Sequence, residues 1–551
     1  MQSILTESMV LAKKNRISGS VAGSAGKSRQ AHAYLVGGGI AALASAAYLI
    51  RDGKIPGNAI HIFEESGILG GSLDGSGSAE TGYVLRGGRM FEEHYGCTFD
   101  LLGSIPSLSD PEKTVLDEIV AFNRQHRTFA KARLVAGGTI VDLSSPGLSK
   151  KDKRVFLKLL VTSEKSLGTS RIRDLFTPEF FTSNFWFFSC TTFAFQPWHS
   201  AVEFKRYLLR FMHLFPGDGL RRLTGVWRTP YNQYDSVVRP LVAWLTAQGV
   251  HFHSGCEVTD LDIRTYGTRK IVEGIRYRST DGTHEQVLGP GDLVFVTNGS
   301  MTANSRRGSM TEAPALVPDK TDGAWALWEK IAKDRPEFGR PSVFTDHVDE
   351  SKWESFTVTF HETAFFSRME KFTGNVAGTG GLVTFTDSNW LMSVVLPHQP
   401  HFIDQPAGVQ VCWGYGLFVD KPGNFVPKPM SACTGEEILT ELLGHLRFES
   451  DREKILAAST CIPCMMPFIT SQFLVRTGTD RPRVVPEGCM NLAFIGQFCE
   501  IPEDVVFTVE YSVRSAQTAV YTLLRLDREA TPVYKGRHNI GILSGAWKTL
   551  E

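Results

Sequence analysis

The hydrophobic pattern near the start of the chain predicts a strand, a tight turn and a helix. An apolar run at 33–36 leads into three glycines, and an alanine- and leucine-rich stretch follows at 40–50. A second apolar run, at 59–63, ends at Glu64 and Glu65. This order of elements is typical of the first half of a dinucleotide-binding fold.

The spacing Gly37-x-Gly39-x-x-Ala42 suits that fold position by position. Gly37 permits a sharp turn, Gly39 lets backbone N–H groups approach a pyrophosphate, and Ala42 allows close packing of helix and strand. The helix N-terminus attracts phosphate charge. Glu64 lies about twenty residues beyond Ala42, where a carboxylate usually binds the adenosine ribose. A glycine-rich turn in another kind of α/β sheet is the alternative.

Later segments return to the same fold, so we expect a discontinuous dinucleotide-binding domain. A strand at 292–297 leads into Asn298, and a strand at 492–495 leads into Gly496, Gln497 and a helix at 509–524. That helix would direct its N-terminus at the cofactor's redox ring. The predicted class is α/β: a Rossmann-like domain with an inserted mixed-sheet domain and helical elements. The predicted segments of the dinucleotide-binding domain are 31–100, 236–310 and 475–530.

Two other regions are predicted to hold the substrate. Residues 101–235 are rich in aromatic side chains and largely helical, with a helix expected to be capped by Asp110-Pro111 and another at 201–215. This aromatic density fits a helical core or the wall of a hydrocarbon channel equally well. Residues 311–474 are predicted to form a mixed sheet with covering helices, with strands at 356–360, 381–385, 391–396 and 409–415.

Glycine-rich loops close to the fingerprint are expected to line the cofactor. The predicted residues are Glu65, Ser72, Leu73, Arg86, Gly87, Gly88, Arg89 and Val258. The pair Cys461-x-x-Cys464 has no second cysteine pair nearby, so we predict no metal site.

Composition narrows the class of protein. The 551 residues include 58 basic and 58 acidic side chains, a formal net charge of zero, and nothing indicates nucleic acid as a partner. Nine scattered cysteines suit a reducing compartment such as the cytoplasm. No apolar run approaches the length of a membrane span, although peripheral membrane contact stays open. Residues 1–30 are predicted to be a flexible tail, with a targeting segment as the alternative.

Several motifs taken together resemble the oleate hydratase family, also called myosin-cross-reactive antigens, over nearly the whole chain from about residue 31. The matching stretches include Gly37-Gly-Gly-Ile-Ala-Ala, Gly70-Gly-Ser-Leu-Asp-Gly, Arg86-Gly-Gly-Arg, Phe195-Gln-Pro-Trp-His-Ser-Ala, Tyr231-Asn-Gln-Tyr-Asp-Ser, Gln399-Pro-His-Phe and Phe494-Ile-Gly-Gln-Phe-Cys-Glu.

The resemblance implies an FAD-containing hydro-lyase that adds water to the cis-9 double bond of an unsaturated long-chain fatty acid. Oleic acid would give 10-hydroxystearic acid without net redox change, and the reduced flavin would be the more active form. The family includes dimers, so a homodimer and a monomer both stay open. The C-terminal segment 531–551 would be the part that contacts membranes, with a docked tail as the alternative.

The resemblance also implies catalytic residues, with one departure. The family's proton donor, a tyrosine, falls on Tyr207, for which a tyrosine that only packs its ring is the alternative. The family's water-activating glutamate is replaced here by Met90. Methionine cannot accept a proton, so we hypothesise that Glu92 or Glu93 takes over this role.

The substrate-end residues differ from the family as well. His401 matches, but its usual polar partners are replaced by Pro397 and Val395. Gln233 and Tyr234 remain as expected polar contacts. Two other functions stay open: a flavin-dependent lipid oxidoreductase, and a fatty-acid-binding relative that has lost catalysis.

Overall fold

A five-stranded parallel sheet holds the glycine-rich turn near the start of the chain. The computed structural model describes residues 30–215, 219–320 and 322–535. The strands of this sheet, in spatial order, are Leu492–Ile495, Leu293–Thr297, Ala33–Val36, Ile60–Glu64 and His251–Ser254. All four pairings are parallel, so every strand ends at the same edge of the sheet.

Two helices pack on this sheet and against each other. Helix Ile40–Arg51 begins directly after the glycine turn, and its run of buried alanines allows close approach. Helix Val509–Leu523 follows the edge strand Leu492–Ile495 and is capped by the Thr508 side chain. The edge of the sheet that carries the glycine turn therefore also faces two helix N-termini.

A second, eight-stranded mixed sheet forms the other large layer. In spatial order its strands are Arg306–Arg307, Ser459–Met466, Trp353–Phe360, Gln410–Gly416, Ser393–Val395, Val383–Phe385, Leu134–Ala136 and Thr139–Ile140. One of its pairings is parallel and the others are antiparallel. The predicted α/β class, with several sheets and a mixed one among them, is confirmed.

Smaller elements complete the fold. A three-stranded antiparallel sheet contains Glu257–Tyr266, Arg269–Ser279 and Gly282–Val287, and two strand pairs are Gly75–Ser78 with Gly82–Leu85 and Phe91–Glu92 with Val226–Trp227. The remaining α-helices are Gly96–Leu102, Val115–Gln125, Lys150–Val161, Glu164–Leu167, Asn184–Phe193, Ala201–Arg210, Gly219–Arg222, Arg239–Ala247, Gly323–Ala332, Ser342–Thr345, Val348–Ser351, Ala364–Thr373, Gly435–Leu446 and Arg452–Ala457.

Two helix boundaries differ from the sequence prediction. The helix expected to be capped by Asp110-Pro111 begins at Val115, because Thr114 and Asp117 exchange the reciprocal hydrogen bonds of a capping box. The helix expected at 201–215 ends at Arg210. Phe211 leaves the helical conformation, and its ring stacks on Phe193 at a centroid distance of 5.1 Å.

Two hydrophobic cores lie on opposite faces of the mixed sheet. Cys461 belongs to one core and Cys464 to the other, since residues an odd number apart on a strand point to opposite faces. The two thiols therefore do not form a pair. No helix in the described ranges is long and apolar enough to cross a bilayer. Residues 1–29 and 536–551, which include most of the predicted tail and C-terminal segment, lie outside the described residues.

Candidate active site

A cleft of about 700 Å³ opens at the carboxyl edge of the parallel sheet. Its lining includes the glycine turn, the end of strand Ile60–Glu64 and the first residues of helix Ile40–Arg51. Ligands of open α/β sheets bind at this edge, and a helix N-terminus there favours phosphate. The volume lies within the range usual for cofactor sites.

The glycine turn leaves room for a ligand to approach the backbone. Gly37 adopts a φ of +93°, which favours glycine, and the Gly38 N–H donates to Glu64 Oε2 at 2.6 Å. A Cβ added to Gly39 would meet nothing closer than Gly71, at 3.7 Å. The space beside Gly39 is thus open on the cleft side.

The predicted cofactor residues divide between two cavities. Lining the cleft are Gly37, Gly39, Glu64, Glu65, Ser72, Arg86, Val258, Gly496 and Gln497. Lining a second cavity are Ser72, Leu73, Gly87, Gly88 and Arg89. Ala42 and Asn298 are buried and line neither, and Asn298 has no hydrogen-bond partner for its side chain within the part of the chain that the structure describes.

Two cleft residues are already engaged by the protein. Glu65 accepts a hydrogen bond from the Gly323 backbone, and burial raises its pKa while that bond opposes the shift. Gln497 donates to Thr508 and Ser512, which fixes the start of helix Val509–Leu523.

The second cavity, of about 100 Å³, adjoins the cleft at Ser72 and Asp74, which line both. Its wall is largely aromatic and aliphatic, with Trp353, Trp413 and Phe507 among the lining residues. An apolar cavity of this kind suits a hydrocarbon group.

A few polar groups project into this apolar wall. Arg228 and Gln233 are buried, and in the described ranges Arg228 Nε and both polar atoms of the Gln233 side chain have no hydrogen-bond partner. Burial lowers the pKa of Arg228 to about 10. Burial, with the Arg228 charge, lowers the pKa of His401 to about 3, so this ring is neutral near pH 7. The group is suited to an anionic ligand.

Met90, which stands in place of the family's glutamate, lines this cavity, whereas Tyr207, the expected proton donor, does not. Tyr207 is 3% exposed. Its phenol donates to the carbonyl of Val506, the residue directly before the lining residue Phe507. Burial raises the pKa of Tyr207 well above its usual value. The predicted contact Tyr234 also lies outside the lining, beside Gly70.

Glu92 and Glu93 do not reach the cavity either. Glu93 is exposed. Glu92 is 3% exposed and binds Arg210, His213 and His94. Burial alone would raise the pKa of Glu92, but the two histidine bonds and the Arg210 charge outweigh it and hold this pKa well below its usual range.

Comparison with known proteins shows the family of this chain. The MCRA family model matches residues 30–521. The chain belongs to the MCRA, or oleate hydratase, family. It is 41% identical over 535 residues to the oleate hydratase of Streptococcus pyogenes serotype M49 (strain NZ131), covering 95% of this chain and 90% of that protein. It is 32% identical over 533 residues to the linoleate hydratase of Lactiplantibacillus plantarum, covering 89% and 93%. The resemblance inferred from the sequence is confirmed.

A solved structure of similar fold is cyclohexylamine oxidase from Brevibacterium oxydans IH-35A. The superposition has a TM-score of 0.50 at 12% identity and covers 91% of this MCRA chain and all of that one. At this identity the likeness concerns the fold alone.

The positions of three residues in the cavity wall were not predicted from the sequence. Asp74 lies within the matched stretch that begins at Gly70, but its position between the two cavities depends on the fold. Arg228 lies shortly before the stretch that begins at Tyr231. Its position directly after Trp227 was the sequence feature that could have indicated a cavity residue. Phe507 carries no signal beyond its hydrophobicity.

The contrast between Glu92 and Glu93 gives a stability prediction. Glu92→Gln leaves the buried Arg210 without its carboxylate, and we expect the free energy of unfolding to fall by about 3–5 kcal/mol. Glu93→Gln changes an exposed side chain and should cost less than about 0.5 kcal/mol. Urea unfolding of both variants measures the difference, and equal midpoints would contradict the assignment of Glu92 to this network.

Proposed function

We propose that this protein is an FAD-containing fatty acid hydratase, a hydro-lyase that adds water to the cis-9 double bond of oleic acid or a related fatty acid to give the 10-hydroxy acid. The observation that carries the proposal is the similarity to the oleate hydratase of Streptococcus pyogenes along almost the full length of both chains. An apolar cavity with a few buried polar groups beside a dinucleotide cleft supports it.

The residues of the cleft suit FAD. The open space beside Gly39 admits a pyrophosphate, and the N-terminus of helix Ile40–Arg51 supplies a favourable dipole. Glu64 lines the cleft, and its carboxylate, already held by the Gly38 and Ser66 backbones, would accept a further hydrogen bond from the ribose. When bound, FAD supplies an aromatic ring system that helps organise the site, and we propose that its reduced form is the more active one. The chain's own residues carry the hydration.

The fatty acid carboxylate is proposed to bind Arg228, with Gln233 and His401 beside it. Arg228 has a free Nε in the described structure, and a carboxylate there would restore charge balance to a buried guanidinium. Val395 and Pro397 line the same cavity and offer no side-chain hydrogen bond. Arg228 thus compensates for the two polar partners that this chain lacks.

Protonation of the alkene is assigned to Tyr207. The phenol is protonated at neutral pH, and burial, which raises its pKa, makes it a weaker acid than a free tyrosine. The proton passes to C9 while the cationic charge develops at C10. The phenol donates to the Val506 carbonyl, and the next residue, Phe507, lines the cavity and has a φ of +68°. Displacement of Phe507 would expose the phenol and enlarge a cavity of about 100 Å³, which is small for a long acyl chain.

Attack by water at C10 requires an acceptor for the released proton. Asp74 is the one carboxylate among the described residues that line the cavity, and Met90 lines the same cavity. One Asp74 oxygen accepts from Arg86 Nε at 2.8 Å, which holds the carboxylate in place. We propose that Asp74 takes the water proton, which then returns through solvent to Tyr207.

The hydration test uses purified full-length protein with FAD, a reductant and oleic acid, without oxygen, in heavy-oxygen water. We expect 10-hydroxystearic acid that carries the labelled oxygen, and a slower rate with oxidised flavin. Tyr207→Phe should lower the rate by about 10²–10⁴-fold, the usual contribution of a general acid. Mass spectrometry of the products is the measurement.

Other products would support other functions. An unlabelled oxygenated product that forms only in air would establish a lipid oxidoreductase. Bound oleate with no product under reduced flavin would establish a fatty-acid-binding relative without catalysis. Full activity of Tyr207→Phe would exclude Tyr207 as the donor.

The role of Asp74 is tested by removing its carboxylate and then adding a carboxylate at position 90. Asp74→Asn should lower kcat by about 10²–10⁴-fold, because the water loses its proton acceptor. Adding Met90→Glu in that background restores a carboxylate to the cavity and should recover activity. Flavin content of each variant is measured alongside kcat. Undiminished activity of Asp74→Asn, or loss of activity that only parallels flavin loss, would exclude Asp74 as the base.

The cofactor assignment gives a separate prediction. Gly39→Ala fits the protein's own backbone, whose φ is −75°, but its methyl group occupies the space proposed for the pyrophosphate. We expect flavin affinity to fall at least about tenfold, or 1.4 kcal/mol, with unchanged stability of the flavin-free protein. Gly478→Ala is the control, since it adds a methyl group in open space outside the cleft. Equal flavin affinities in equilibrium dialysis would count against this site.

A further inference from the structure

Glu92, His94 and His213 bring three metal-binding side chains together outside the substrate cavity. One nitrogen of each histidine and one carboxylate oxygen all lie within 4.8 Å of one another. In the part of the chain that the structure describes, this is the one group of three or more such side chains with that geometry. None of the three lines either cavity described above.

The ligand atoms already converge on a common point. Glu92 Oε1 is hydrogen-bonded to His213 Nε2 at 2.8 Å and to His94 Nδ1, and the two rings are inclined at 73°. Around a tetrahedral Zn²⁺, with bonds of about 2.0–2.1 Å, ligand atoms lie about 3.4 Å apart. Small side-chain shifts would therefore exchange the two hydrogen bonds for bonds to an ion, once each imidazole has released the proton that it shares with Glu92 or moved it to its other ring nitrogen.

The surroundings have the features of a metal site's outer shell. Glu92 would bind the ion through Oε1 alone, because its Oε2 accepts from Arg210 Nη2 at 3.1 Å. Ligating carboxylates are commonly held by such a second hydrogen bond. The Tyr534 ring stacks on His94 at 3.6 Å and meets His213 edge-on at 5.1 Å, which limits the motion of both imidazoles.

Charge sets the expected strength of binding. Arg210 already balances Glu92, so a divalent ion would bring uncompensated positive charge to a largely buried place. We therefore expect weaker binding than at a site with two carboxylates. Neutral imidazoles favour ions of the zinc class over Mg²⁺ or Ca²⁺, which prefer oxygen ligands.

We propose that Glu92, His94 and His213 bind a divalent transition-metal ion, with Zn²⁺ as the preferred probe. The ion would join two parts of the chain: the turn that follows Met90, and the turn that follows the helix carrying Tyr207. Because its ligands lie outside the substrate cavity, the site positions these elements and takes no part in the chemistry. The proposal does not depend on the hydratase function.

The test uses untagged, full-length protein that has been stripped of metal with a chelator. Calorimetric titration with Zn²⁺ should show one ion per chain, and Co²⁺ should give the visible absorption of a low-coordinate nitrogen and oxygen site. His94→Gln and His213→Gln keep a hydrogen-bonding side chain but remove a metal ligand, and each should lower affinity at least tenfold. His445→Gln is the matched control, because His445 is a buried histidine beside a carboxylate, Glu441, in the other core.

Each result decides the question. Stoichiometric binding that is weakened in both test variants and retained in the control supports the site. Absence of binding by the wild-type protein, or equal affinity in all variants, overturns it. If the two variants do not fold, X-ray absorption of the Zn²⁺-loaded wild type decides: two imidazoles and one carboxylate support the site, and any other ligand set overturns it.

Discussion

The parallel pairing of strand Ala33–Val36 with both of its neighbours is the constraint on which the site depends. It aligns the carboxyl ends of three strands, so that Gly37, Glu64 and Thr297 meet at one edge, and the outer strand adds Gly496. Hydrogen bonds from the Gly38 and Gly70 backbones close the turn around that edge. The second cavity adjoins the cleft because the loop after Gly70 places Ser72 and Asp74 in the wall that the two share.

Buried positive charge is the second determinant of what the molecule can bind. Desolvation lowers the pKa of both Arg89 and Arg228 to about 10, and each lines an apolar cavity. An anion that enters repays part of the cost of burying these guanidinium groups, whereas a neutral hydrocarbon does not. The cavity is therefore better suited to an amphipathic acid than to an alkane, and Arg228 Nε, which has no partner among the described residues, is where we propose that the acid group binds.

The sequence predicted the parts of the fold that depend on local patterns. Alternation and glycine spacing located the nucleotide turn, the strands near 293 and 492, and the helix that follows Gly496. It could not predict how deep each side chain lies. The Tyr207 phenol bonds to the Val506 carbonyl, and Glu92 turns toward His213, because packing between elements far apart in the chain determines both. The departure at Met90 was visible in the sequence, but that Asp74 is the carboxylate in the same cavity wall, among the described residues, emerged only from the structure.

The order of strands in the parallel sheet also bears on how the protein is made. The edge strand Leu492–Ile495 comes late in the chain, yet it covers strand Leu293–Thr297, which pairs with the first strand of the sheet. During synthesis on the ribosome, that side of the sheet stays open until about nine-tenths of the chain has emerged. An unpaired apolar edge is a template for wrong pairing with other chains. Nascent chains would thus gain most from a chaperone during this interval, and the nucleotide cleft, which needs Gly496, can close only after that residue has been translated.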